Sequence, residues 1–169
     1  MKTVKHTSTF YIVIAVLGIL LYLLDSTGIF TLAIGTAHPL LLLALLVAVA
    51  MNAREWAGLV FGALFGILLD ITTANSYCFN LVTLAIIGCI CGLICSYFIN
   101  NNIYSALVLS LLTSVAYFTL KWLLFTVPNR GSFSYFINHS LISAAYTALF
   151  IIPFYYLVRF LSKKTNYII

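Results

Sequence analysis

The sequence predicts an all-α integral membrane protein, about six transmembrane helices in a compact bundle. Three observations carry that prediction. The 169 residues are 64% hydrophobic and 7% charged, with a mean hydropathy of +1.16, whereas a soluble domain is about a quarter charged. Apolar runs near the roughly 20 residues that cross a hydrocarbon core cover most of the chain. Those runs are long and unbroken, where a transmembrane barrel would need short alternating strands.

The first span is predicted over 9–25, after the basic start "MKTVKHTS". This start is similar to a signal peptide. Its apolar stretch is long for one, however, and no small-residue cleavage site follows closely, which favours an uncleaved first helix. The second span, 38–53, opens at His38-Pro39, since proline is tolerated in a first helical turn. It is short for a crossing and has the length of a re-entrant segment. The remaining spans are predicted at 56–73, 79–99, 103–126 and 137–160. With the N-terminus in the cytoplasm, Lys2, Lys5, Arg54, Arg159, Lys163 and Lys164 all fall inside, Arg130 falls outside, and Lys121 lies within a span. That asymmetry follows the positive-inside rule and predicts both termini in the cytoplasm. No loop is long enough to fold alone and no linker divides the chain, so residues 1–169 read as a single multi-pass membrane domain with no soluble domain.

The third span, "REWAGLVFGALFGILLD", sets Arg54, Gly58, Gly62, Gly66 and Asp70 four residues apart. Steps of four advance about 400° around a helix, so the five residues form one slowly drifting stripe. Small residues let membrane helices approach closely, and van der Waals contact is what drives their association. The fourth span offers a matching row in Gly88, Gly92 and Ser96. A short loop joins the two spans, which predicts an antiparallel hairpin packed through these six residues. The same faces are alternatively open to a partner helix. Arg54 and Asp70 stand about 24 Å apart along a helix, one at the inner interface and the other toward the outer one. A carboxylate at a helix centre costs about 2.5–3.5 kcal/mol on insertion scales and less toward the interface. Asp70 therefore reads as a polar anchor, and Lys121, at a comparable depth, is its expected ionic partner. The competing expectation is that Lys121 snorkels to water.

Nothing in the chain reads as catalytic. Cys89, Cys91 and Cys95 share one span with the spacing CxCxxxC and no histidine beside them, and Cys78 precedes it; zinc sites favour other spacings. Cysteine in hydrocarbon behaves as a small apolar residue. His6, His38 and His139 fall near the membrane surfaces. There is no HExxH, Walker, GxSxG or dinucleotide motif. The sequence thus predicts no enzyme, no cofactor and no metal. Nucleic acid is excluded as a partner, since no soluble basic domain carries the net charge of +5.

The segment "HPLLLLALLVAVAMNAREWAGLVFGALFGILLD" resembles the rod shape-determining protein MreD family. That family typically has an "RP…LLLL" entry, a basic residue, spaced glycines and a "G-[LI]-L-x-D" ending. His38-Pro39 stands at the entry, where arginine is more usual. Arg54 takes the basic position, and Gly62 and Gly66 with Asp70 form the hallmark. The family's glycine about eight residues beyond the aspartate is replaced by Cys78, with Asn80 where a polar residue often follows. The resemblance implies a non-enzymatic component of the cell-elongation machinery in the bacterial cytoplasmic (inner) membrane. It implies as partners membrane lipids, the single-pass protein MreC, the cytoskeletal MreB and the RodA–transpeptidase peptidoglycan synthase.

A second reading is the substrate-binding membrane subunit of an energy-coupling-factor vitamin transporter, with His38, Asp70, Tyr77, Asn80, Trp122 and His139 lining a pocket. The first span argues against it, because only Ala15 and Gly18 stand where such subunits carry an alanine-rich docking stripe.

Overall fold

The computed structural model describes residues 2–27, 40–72, 78–97, 102–126 and 142–164. Helices make up nearly all of these, in the order α1 (Lys2–Thr27), α2 (Leu41–Thr72), α3 (Phe79–Tyr97), α4 (Ile103–Lys121), a π-helical turn (Trp122–Thr126), α5 (Ile142–Leu149) and α6 (Ile151–Lys164). Four stretches are long and apolar enough to cross a membrane: Glu55–Thr72, Phe79–Tyr97, Ile103–Leu124 and Ile142–Ser162. Two shorter apolar ones, Phe10–Ser26 and Leu41–Ala53, complete an all-α membrane protein of about six segments.

Helical residues run without a gap through α2, although two spans are expected there. As a straight rod its 32 residues would be about 48 Å long. Contacts exclude the rod. A Cβ built on Gly58 would lie 3.1 Å from the Cβ of Ala50, yet eight residues of straight helix separate two positions by about 12 Å. An independent chain of bonds reaches the same conclusion. The Leu40 amide donates to Thr147 Oγ1 at 3.0 Å. One turn away, Ser114 Oγ donates to the Ala144 carbonyl at 3.1 Å. One turn further, Tyr117 Oη donates to Asn80 Oδ1 at 2.7 Å, beside Asp70. Leu40 and Asp70 thus lie toward one end of the molecule, whereas a straight α2 would hold them about 45 Å apart. The run therefore doubles back at about Arg54, into a first arm (Leu41–Ala53) and a second arm (Glu55–Thr72).

The first arm is the centre of the core. Leu42 to Ala50 are each at most 1% exposed, so this arm is enclosed by protein on every side and presents no face to lipid. At about 20 Å it is also shorter than a hydrocarbon core. Its Leu, Ala and Val side chains suit that position because they carry no polar atom that needs a partner.

α1 packs on the second arm, with Tyr11 and Phe61 rings 5.9 Å apart and Gly18 directly beneath the Phe65 ring. Away from this contact it exposes Val16, Leu20 and Leu23. Apolar side chains facing outward are what a lipid-facing helix requires.

The last predicted span, 137–160, is broken in the structure. Phe150 is a turn residue between α5 and α6. Pro153 explains the break, because it has no N–H and its ring crowds the carbonyl four residues earlier, that of Leu149. Residues 137–141 lie outside the described residues.

Candidate functional site

The glycine stripe lies against α3. A Cβ on Gly58 would fall on the Gly88 carbonyl, one on Gly88 on the Gly58 carbonyl, one on Gly62 on the Leu84 carbonyl, and one on Gly66 on the Leu81 Cα. The two helices are therefore antiparallel with touching backbones, an approach that any side chain at these positions would block. Gly92 is buried in the same helix. Ser96 is exposed, and its hydroxyl donates to Glu55 at 3.3 Å, so it fastens the far end of the pair and takes no part in the close contact. Cys95 Sγ donates to the Met51 carbonyl at 3.5 Å at that same end.

Asp70 is the next residue of the stripe after Gly66, and it meets the start of α3. Its Oδ1 accepts from the Asn80 amide at 3.2 Å and from Asn80 Nδ2 at 2.9 Å. Its Oδ2 accepts from the Leu81 amide at 3.0 Å. The first amides of a helix have no partner inside it and carry its positive dipole end, so a carboxylate there is stabilised both by hydrogen bonding and by charge. A cap residue just ahead of the helix normally supplies that oxygen, reaching the second and third helical amides. Here the residue ahead is Cys78, whose thiol is a weak acceptor. Its carbonyl begins the helical ladder, accepting from the Val82 amide at 3.2 Å. Asp70 supplies the cap from the preceding helix instead. Cys78 itself has φ 59°, a left-handed backbone that favours glycine.

Asn80 joins this cap to α4. It is 2% exposed; its amide group donates to Asp70 while its carbonyl oxygen accepts from Tyr117 Oη. Tyr117, 1% exposed, packs its ring 6.2 Å from that of Phe79. The ammonium of Lys121 sits 6.0 Å from the centroid of the Tyr117 ring, a cation–π arrangement one turn along α4.

The expected Asp70–Lys121 ion pair is therefore not made. Both oxygens of Asp70 are taken by the start of α3, and Lys121 lies on the face of the tyrosine that closes the far side of the network. Asn80 was legible as a polar residue ten positions after Asp70. Tyr117 carried no sequence signal, being one of 11 tyrosines.

A second small-residue contact, between α4 and α5, also escapes the sequence reading. Ser110, Ser114, Ser143, Ala144, Thr147 and Ala148 are all buried, and four-residue spacing within Ser110–Ser114 and Ser143–Thr147 was the available signal. Arg54 stands at the reversal of α2. His38, Tyr77 and His139 lie outside the described residues. Among the described residues, no three His, Cys, Asp or Glu side chains gather where a metal could bind. A groove of about 430 Å³ runs between α1 and the second arm of α2, lined by Tyr11 and Trp56 and by apolar residues such as Ile12, Ala15, Ala57 and Val60. Asp70, Asn80 and Trp122, the described members of the set expected around a vitamin, do not line it.

Fold and site together define a small multi-pass helical membrane protein in which Asp70, Asn80, Tyr117, Ser96 and Glu55 tie helix to helix. The family model described as rod shape-determining protein MreD matches residues 5–164. The chain belongs to this family, a family of shape-determining membrane proteins. No curated protein and no solved structure matches it.

Proposed function

We propose that this protein is a non-enzymatic component of the cell-elongation machinery, held in the bacterial cytoplasmic membrane with both termini in the cytoplasm. It helps to maintain rod shape and to organise peptidoglycan synthesis by docking an MreC-like single-pass protein, beside MreB and the RodA–transpeptidase synthase. The family match over residues 5–164 carries this reading. The geometry supports a scaffold: the backbone contact of α2 with α3 is locked at one end by the Asp70 cap. Since α3 occupies the glycine stripe, the partner helix docks on a different face. The family match also sets the vitamin-transporter reading aside.

Depletion tests the proposal. Rounded cells with delocalised wall synthesis, and co-purification of an MreC-like protein, are the expected results. Unchanged cell shape on full depletion would overturn it.

A further inference from the structure

The chain has three acidic side chains in all, and none of them pairs with Lys121. Glu55 receives Ser96 at the opposite end of the molecule, Asp70 is bonded to the start of α3, and Asp25 is exposed near the end of α1. Lys121 is half-buried, within the apolar span Ile103–Leu124. A cation held in such a segment is costly unless it meets an anion or reaches water. Its neighbour on the described protein is the π-face of Tyr117, itself pinned through Asn80 to Asp70. That network fixes the side of the ammonium that faces the protein and, among the described residues, sets no anion against its charge.

We propose that Lys121 binds the phosphate of an anionic phospholipid, at the end of the molecule that carries Asp70. Depth selects this anion. Five residues, about 7 Å of helix, separate Lys121 from residue 126, the predicted end of this span. A lysine stem covers most of that rise, which brings the ammonium to the headgroup boundary. Trp122, next in sequence, is a residue type favoured at that level. Phosphate is already there in every leaflet, whereas a carboxylate from a partner helix would first have to be brought out of water.

Trp56 and Trp122 are the two tryptophans of the chain, and Trp56 is exposed on the second arm near the reversal of α2, away from Lys121. A Trp56→Phe background therefore leaves Trp122 as a local reporter. The full chain is placed in phosphatidylcholine nanodiscs doped with nitroxide-labelled phosphatidylglycerol or, separately, labelled phosphatidylcholine. Quenching of Trp122 is expected to favour the anionic lipid about fivefold, the effect of one cation near a membrane surface. Lys121→Arg keeps the preference, Lys121→Gln removes it, and Arg130→Gln leaves it intact. Helical circular dichroism confirms that each variant is folded. A preference undiminished in Lys121→Gln overturns the proposal. So does its abolition by millimolar inorganic phosphate, which would make a free anion the ligand. Absence of any preference in the Trp56→Phe background also overturns it, and would leave a partner's carboxylate as the anion.

Discussion

Asp70 shows how far a single residue could be read and where that reading stopped. Its cost in an apolar helix marked it as an anchor. Its partners are the Asn80 and Leu81 backbone amides and the Asn80 side chain, none of which periodicity points to, so the obvious opposite charge, Lys121, drew the prediction instead. Asp70→Asn tests the cap. An amide there presents an N–H to one of the amides that the carboxylate now accepts, leaving a half-buried donor unsatisfied and the helix dipole uncompensated. The expected loss is about 1–3 kcal/mol, with faster hydrogen exchange at the Asn80 and Leu81 amides. Unchanged exchange there would show that the cap contributes nothing. Cys78 tests the same junction from the other side. A left-handed conformation costs a non-glycine residue about 1–2 kcal/mol, and glycine's greater freedom in the unfolded chain returns part of that. Cys78→Gly should therefore raise the thermal midpoint in detergent, by a gain of about 0.5–1 kcal/mol. A lowered midpoint would mean that the thiol makes a contact worth more than the strain.

At the scale of the element, spacing was informative wherever backbone had to meet backbone. Gly58, Gly62 and Gly66 at four-residue intervals predicted a close contact, and Gly88 faces Gly58 across it. The sixth residue of the expected set, Ser96, departs because the helices end there, and a hydroxyl at an end is better used on Glu55. Pro153 was the overlooked signal, since a proline inside an apolar run marks a broken ladder and α5 does end four residues before it. The α2–α3 contact yields a graded prediction. Gly62→Ala and Gly66→Ala should each destabilise, because the added methyl falls on backbone atoms of α3 that have no rotamer to move. Gly62→Val and Gly66→Val should do so further, by about 1–3 kcal/mol or more. Leu59→Val and Leu64→Val, on exposed positions of the same arm, should stay within about 0.5 kcal/mol. Equal losses at glycine and leucine positions in a thermal-shift series would mean that the stripe is not what holds the pair together.

For the whole molecule, class and segment number were legible because hydrocarbon admits so few structures, and a charge as rare as Arg54 sat where a turn was needed. The enclosure of the first arm was not legible, because an apolar run looks the same whether lipid or protein surrounds it. The reversal of α2 decides the topology. If α2 were one rod, the chain would have five segments and its ends would emerge on opposite sides. Folded at about Arg54 it has six, an even number that returns the ends to one side when every segment crosses. Two measurements test this together. Spin labels at Leu40→Cys and Ile71→Cys, in a chain whose native cysteines are replaced, should report about 10–20 Å, the separation of neighbouring helices plus label linkers. A straight α2 would give about 45 Å. Impermeant thiol reagents applied to intact cells should spare single cysteines placed at both termini and label one placed at Arg130, as the positive-inside distribution requires. A long spin-label distance would return α2 to a rod. Labelling at just one terminus, with the short distance intact, would keep the reversal and require a different segment to stop short of crossing. The first arm, the shortest of the apolar segments and covered by protein throughout, is the segment that would fit that role.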